Sequence, residues 1–348
     1  MSVVYKLNTT LDPTRPPCDT HRSHMSKLLF AKDLKDRDSV NEVFLVKHSA
    51  VVTAKNGKPY LNVVLTDRSG DLEARVWENA EEAAKVLVKA TFARVDGRVT
   101  VYQGKRQFIV SGYSQVPTTQ VDMKEFLAET TCDVEALYAK LLEYARSVEN
   151  PFSRELALRI LTDADVAARL RQAPAAKSIH HAYRGGLLEH MVSISGILDD
   201  LSRHYGKTLD RDLLLLGGFF HDIAKLWELD YMLTTEYTDE GRLVGHLVMG
   251  VELVERVMNG IPDFPRHLRL LVKHLILAHH GELEYGSPKR PKVVEALVVH
   301  YIDDLDSKIN AIQSFVAKDE SPGQWTGLNK MYERFFYKGP KSVDLVSG

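Results

Sequence analysis

The sequence predicts a multidomain α+β protein in which a small N-terminal β-barrel precedes an all-α domain. Three observations carry this. Apolar residues alternate in strand fashion over 26–117. From Asp122 onward they recur with the 3.6-residue period of helices. Of 14 histidines, 11 lie between His180 and His300, where even scattering would put about 5. The length of 348 residues suits roughly two domains, and 44% hydrophobic with 26% charged residues excludes wholesale disorder or a collagen-like fibre. Two cysteines, Cys18 and Cys132, suit a reducing cytosol and argue against a zinc ribbon or a disulfide framework. The longest apolar stretch, near Leu213–Phe220, is far short of the ~20 residues of a membrane helix. The N-terminus shows no apolar leader region, so the expectation is a cytoplasmic protein without a membrane partner.

Residues 1–25 are polar, Pro-containing and aperiodic. They read as a disordered tail, or as a remnant of an added tag before a start at Met25. Strand-like runs follow at 43–46 and 50–53. Lys55-Asn56-Gly57-Lys58 then gives a hairpin turn, Asn-Gly being a strong signal for one. Runs at 60–65 and 72–77 come next, separated by a turn at 67–71. A short helical stretch, Ala80–Val88, precedes runs at 90–95, 98–102 and 107–110, the last two joined at Gln103-Gly104-Lys105. About five strands with one helix before the final pair is the order of an OB-type Greek-key barrel, other small β-barrels being the alternative.

The net charge of −2 is unevenly divided. Between 26 and 117, 15 Lys and Arg stand against 11 Asp and Glu; from Thr118 onward the balance is 27 against 34. A mildly basic module on an acidic remainder suits weak polyanion binding. Six aromatics, Tyr60, Trp77, Phe92, Tyr102, Phe108 and Tyr113, are interleaved with Lys58, Arg75, Arg94, Arg98, Lys105 and Arg106. OB folds stack bases on aromatics along a basic groove, but half of these rings must fill the barrel core, and alternation alone does not separate the two sets.

Helices are expected at 122–128, 133–148, 153–161, 163–171, 186–205, 210–227, 245–258, 266–280 and 292–316, with Gly206 and Gly281 as stops and no strand among them. His190 shares a face with Leu187, Ile194 and Ile197 and points inward. His221 sits above Gly217 and Gly218, and Asp222 above Gly218; small residues there leave room beside the imidazole and the carboxylate. His246 opens a helix, His279 and His280 end another, and Asp303 lies on an Ala296–Val299 stripe. A single core histidine is more often a hydrogen-bonded structural residue than a ligand. Five inward His and two inward Asp on five helices are a different matter, because buried ionisable groups are costly unless a cation unites them. Mixed imidazole and carboxylate donors suit Mn²⁺, Fe²⁺, Co²⁺ or Zn²⁺ better than Mg²⁺. The count exceeds one tetrahedral zinc and fits two metals bridged by Asp222.

His190…His221-Asp222…Asp303 resembles the H…HD…D signature of the HD-domain metal-dependent phosphohydrolases. His246 and His279-His280 resemble the subset that holds two metals. The strings KSIHHAYRGGLLEH (177–190), FFHDIAK (219–225), GRLVGHLVMG (241–250), LILAHHGELEYGSPKRP (275–291) and EALVVHYIDDLDSK (295–308) are similar to those of YhaM-type 3′-5′ exoribonucleases, which join an N-terminal OB domain to a C-terminal HD domain. The resemblance spans about 26–316. It implies a 1–25 tail, an OB domain at 26–117, a helical connector at 118–170, an HD domain at 171–320 and a tail at 321–348.

It also implies site roles. His190, His221, Asp222 and Asp303 would hold one divalent ion. Asp222, His246 and His279, His280 or both would hold another, with Mn²⁺ favoured over Fe²⁺, Co²⁺ and Zn²⁺. Asp303 is preferred to Asp306 as the first aspartate of the D-x-x-D pair. Asp222 and Lys225 are the catalytic candidates, Lys225 as a phosphate cation unless it is a solvated surface lysine. His180, His181 and Tyr183 would stack on or orient the terminal nucleotide, or else cap the next helix. Tyr285, Ser287 and Lys289 would contact substrate from the loop after the His pair. The implied activity is 3′-5′ hydrolysis of single-stranded RNA, with DNA as an alternative substrate. Two rivals are a phosphohydrolase of small or cyclic nucleotides, which would need no strand-binding barrel, and a non-catalytic nucleic-acid regulator, which would need no complete ligand set. Oligomeric state is left open.

Overall fold

The computed structural model describes residues 27–102, 105–177 and 180–339. The expected tail at 1–25 and the turn residues Gln103 and Gly104 lie outside these. Five strands close a barrel in the order β1-β2-β3-β5-β4. They are β1 (Ser39–Thr53), β2 (Pro59–Asp67), β3 (Gly70–Val76), β4 (Phe92–Tyr102) and β5 (Lys105–Val116), with α1 (Ala80–Val86) between β3 and β4. Closure is a parallel pairing of β3 with β5 at Ala74 and Phe108. This is the OB-type order expected.

Two pairs of expected runs are single strands. β1 is continuous through 43–53 because it serves two partners, β4 with its first half and β2 with its second, and it bends at a register shift between Val46 and His48. β4 is continuous through a bulge at Asp96-Gly97. A side chain at Gly97 would lie 2.1 Å from the Ile109 carbonyl oxygen, so only glycine fits this crossing. Phe44, Leu61, Val63, Leu65, Ala74, Val95, Val99 and Phe108 are fully buried and fill the barrel.

A second apolar cluster under the barrel joins Val43, Leu45, Phe92 and Val116 to Val121 and Phe126 of the following segment. The helix expected at 122–128 is only a turn, Met123–Glu125. Asp122 caps it, and the Phe126 ring is turned against Phe92 at 4.9 Å. The chain then runs beside Arg184, with Thr130 N donating to its carbonyl.

The helical part comprises α2 (Val134–Arg146), α3 (Pro151–Leu161), α4 (Ala164–Leu170), α5 (Gly186–Tyr205), α6 (Arg211–Phe220), α7 (Lys225–Glu228), α8 (Asp239–Leu243), α9 (His246–Asn259), α10 (Arg266–Ala278) and α11 (Val294–Lys318). Asp133, Asn150, Asp163 and Asp210 cap their helices with side-chain oxygens on backbone N–H groups. The helix expected at 210–227 breaks at His221. Between α7 and α8 a short ribbon intervenes, β6 (Leu229–Asp230) with β7 (Glu236–Tyr237), which corrects the expectation of no strand in this half. α5 and α6 form the centre, flanked by α2, α10 and α11. Residues 319–339 fold back on α11, with Phe336 against Phe315 and Lys338 bonded to Asp319. Among the described residues no helix is long and apolar enough to cross a membrane.

Candidate metal centre

Five chain positions deliver the site. His190 comes from the first half of α5, and His221 and Asp222 from the break after α6. His246 is the first residue of α9. His279 and His280 follow the end of α10, and Asp303 lies in α11. The break after α6 turns His221 and Asp222 together into the centre, which a continuous helix would not do. The Gly217 carbonyl accepts from His221 Nδ1 at 3.0 Å, leaving Nε2 facing inward. Contrary to the expectation from sequence, Gly217 and Gly218 leave no space beside these side chains. A Cβ at Gly217 would lie 2.5 Å from Val299 Cγ2, and one at Gly218 would meet Ser195 and Leu198. They are small so that α11 and α5 can approach α6.

Asp222 is the hinge of the geometry. Its Oδ2 lies 3.5 Å from His221 Nε2 and 3.9 Å from His190 Nε2. Asp303 Oδ1 closes that group at 3.2 Å from His190 Nε2. The other oxygen, Oδ1, lies 3.5 Å from both His246 Nε2 and His279 Nε2. His280 stacks edgewise on His279 and is 5.2 Å ring to ring from His246. Among the described residues three groups have the spacing to hold an ion: His190, His221, Asp222 and Asp303; His246, His279 and His280; and His181, His190 and Asp306, the last sharing His190 with the first.

The donors fit a cation. Asp222 Oδ1, His246 Nε2, His279 Nε2 and His280 Nδ1 are buried and make no hydrogen bond within the described chain. Such orphans each cost on the order of 1–3 kcal/mol unless something binds them. Burial, with its cationic and imidazole neighbours, pushes the His280 imidazole down to about 4, and burial also lowers His279, so both stay neutral with lone pairs free. Burial opposes the charge on Asp222, yet Lys225 and His221 hold its carboxyl well below the usual range. Burial would likewise depress His190, but Asp303 and Asp306 reverse this and raise it to about 9. The same carboxylates would favour a cation at His190 Nε2 in place of that proton.

The remaining predicted residues divide. Lys225 is not a solvated surface lysine: its Nζ lies 2.6 Å from Asp222 Oδ2, and the side chain is 13% exposed. His180 faces the site from its edge, its ring 6.0 Å from that of His190. His181 and Tyr183 are engaged elsewhere. His181 Nε2 bonds Asp306 at 3.1 Å and Nδ1 bonds the Tyr183 hydroxyl at 2.9 Å, so their polar atoms are held within the protein. Ser287 is buried and donates to the Leu277 and Lys289 carbonyls, shaping its loop from inside instead of facing substrate. Tyr285 is 70% exposed, and Lys289 is exposed as well.

Two carboxylates stand behind the histidines. Asp306 Oδ2 is 2.8 Å from His190 Nδ1, and its other oxygen accepts from Ser193. Glu228 Oε1 is 2.8 Å from His246 Nδ1. Carboxylates so placed fix the tautomer and orientation of a ligating imidazole. Glu228 escaped the sequence reading. Its one signal was an acidic residue in the otherwise apolar run Leu226–Leu229.

On the barrel, the aromatics separate. Phe92 and Phe108 are core, and Tyr113 packs on the core edge. Trp77 is 46% exposed and lies 4.8 Å from Tyr60, with the Arg75 guanidinium within 6 Å of both rings. Tyr102 is exposed apart from them. Arg106 is tied to the carbonyls of Ala31, Lys32 and Leu34 and to Glu320.

A family model described as an HD domain matches residues 187–308, and one described as an OB-fold nucleic acid binding domain matches 43–116. The chain is 36% identical over 296 residues to a 3′-5′ exoribonuclease YhaM of Oceanobacillus iheyensis, covering 84% of this chain and 92% of that one. Among solved structures, the second OB-fold domain of replication protein A from Methanococcus maripaludis is similar at 17% identity, covering 25% of this chain and 92% of that one, with a TM-score of 0.21. A mitochondrial single-stranded DNA binding protein of S. cerevisiae shares 13% identity over 24% of this chain and 97% of that one, with a TM-score of 0.20.

Proposed function

The chain belongs to the YhaM family of 3′-5′ exoribonucleases, and from that premise we propose that it removes nucleotides from the 3′ end of single-stranded RNA by metal-dependent hydrolysis of phosphodiesters. The observation that carries the metal reading is the division of Asp222, one oxygen toward His190 and His221, the other toward His246 and His279. His190, His221, Asp222 and Asp303 would hold one divalent ion, and Asp222, His246, His279 and His280 a second. Mn²⁺ is the preferred ion for this mixture of imidazole and carboxylate donors, ahead of Fe²⁺, Co²⁺ and Zn²⁺. Bound there, the ions supply a water of lowered pKa and neutralise the phosphoryl oxygens.

The protein's own groups do the rest. Asp306 and Glu228 keep His190 and His246 in the orientation that presents Nε2 inward. Lys225, paired with Asp222, places an ammonium group where a phosphate oxygen would otherwise be repelled by the carboxylates. His180, Tyr285 and Lys289 are left to contact the terminal nucleotide. The barrel, taken as 26–117, would capture the strand, with Tyr60, Arg75 and Trp77 stacking its bases. Residues 118–170 would serve as the connector and 171–320 as the catalytic unit. The low cysteine content supports work in the cytoplasm.

The test is a product ladder from 5′-labelled single-stranded RNA with Mn²⁺, beside the same sequence as DNA. Stepwise shortening from the 3′ end is expected for RNA. Internal cuts, or a gel shift without cleavage, would overturn the reading, and equal trimming of DNA would widen the substrate class.

A further inference from the structure

The β6–β7 ribbon plays no part in holding the candidate metal centre, yet it is rooted there and leaves the helical domain at its tip. It begins at Leu229, immediately after Glu228. Its return is pinned on the same residue: Thr238 N donates to the Glu228 carbonyl at 3.0 Å, and Thr238 Oγ1 donates to the Trp227 carbonyl at 2.9 Å. Gly241 lies so close that a Cβ there would be 2.2 Å from the Glu228 carbonyl oxygen.

The tip meets the barrel. Leu233 packs against the cluster formed by Val43, Leu45, Phe92, Val116 and Phe126. Three residues on, Glu236 faces a cation from each side. Its Oε1 is 2.6 Å from Lys89 Nζ, on the barrel turn between α1 and β4, and its Oε2 is 2.7 Å from Lys177 Nζ, in the segment leading to α5. Hydrogen bonds from Lys177 and Lys89 draw its carboxyl down to about 2, so the clasp stays charged across the working range of pH.

We infer that the ribbon Leu229–Tyr237 is a strap that sets where the barrel stands relative to the metal centre, with Leu233 as its anchor and Glu236 as its clasp. Glu236 is then a positioning residue: it brings a strand held on the barrel to the metals in one register. This rests on the exonuclease reading above. Two modules that grip one strand act at an effective concentration set by the stiffness of their link. The covalent connection through 117–133 persists when the strap is loosened, so engagement of long strands weakens without being abolished.

The test uses Glu236→Gln, Leu233→Ala and the double variant in the full chain with Mn²⁺. Spin labels at Lys58→Cys and Lys318→Cys, with Cys18→Ser and Cys132→Ser, report the barrel-to-helix distance. A narrow distribution is expected in the parent and a broad one in the double variant. On RNA carrying a 3′ overhang beside a stem, KM is expected to rise about tenfold with kcat changed less than about twofold. Parent trimming is expected to stop at one length near the stem, and in the double variant that product should spread over several lengths, while turnover of bis(p-nitrophenyl) phosphate stays unchanged. An unaltered distance distribution would overturn the inference, as would a broadened one with unaltered KM and stall position. If the parent does not trim RNA, the exonuclease reading fails, and the label distances still decide whether the ribbon holds the barrel. If Leu233→Ala lowers the folded fraction, Glu236→Gln alone carries both readouts.

Discussion

Glu228 Oε1 accepts from His246 twice, from the backbone N–H at 3.0 Å and from ring Nδ1 at 2.8 Å, so one carboxylate oxygen locks both the start of α9 and the direction of its first side chain. The ring is left with Nε2 directed toward Asp222 Oδ1. Replacing Glu228 with Gln keeps the shape but removes the charge that makes the imidazole a strong donor. Metal affinity is expected to fall ~10–100-fold. The Mn²⁺ concentration for half-maximal activity checks this; an unchanged value would mean that the pair only holds the helix start.

Asp222→Asn removes the charge shared between the two groups of donors while preserving volume. Hydrolysis is expected to drop by several orders of magnitude, and single-stranded RNA binding by the barrel is expected to persist. Single-turnover rates beside fluorescence anisotropy separate the two. Retained activity would rule out Asp222 as the shared ligand.

Trp77→Ala takes away the outward half of the Tyr60–Trp77 pair without touching the barrel core. Loss of one stacked base corresponds to ~1–3 kcal/mol of binding. Anisotropy titration of a short single-stranded RNA should show that loss, and the thermal midpoint should stay near that of the parent.

Gly217→Ala would drive a methyl group into Val299, which lies 2.5 Å from the position of its Cβ. Overpacking of this kind costs ~1–3 kcal/mol. Thermal unfolding should shift down by roughly 2–4 °C for each kcal/mol. Activity per folded molecule should also fall, because moving residue 217 away from Val299 shifts the carbonyl that accepts from His221 Nδ1.

A chelator should act on stability as well as on activity. Filling buried donors with an ion at about 100-fold its dissociation constant contributes ~2.7 kcal/mol. The melting temperature is therefore expected to rise with added Mn²⁺ and to fall with EDTA. No movement in either direction would argue against ions at the orphaned atoms of Asp222, His246, His279 and His280.

The order of the two architectures and the chain positions of the His and Asp set are legible in the chain alone, because both are local properties. Strand alternation and helical period are written in neighbouring residues, and an inward face on a helix follows from spacing alone. His190, His221, Asp222, His246, His279, His280 and Asp303 therefore stand out in the chain without any contact between elements. The remaining features depend on partners distant in sequence. Alternation says that Trp77 and Val76 face opposite ways but not which way is in; closure of β3 on β5 puts Val76 inside and Trp77 out. Glu228 acquires its partner from a helix 18 residues on, His181 and Ser287 lose their freedom to Asp306 and Leu277, and the ribbon at Leu229–Tyr237 is too short to leave a periodic trace. Each of these is a matter of which group fills a neighbour's last open valence or void, and that is set only when the elements pack.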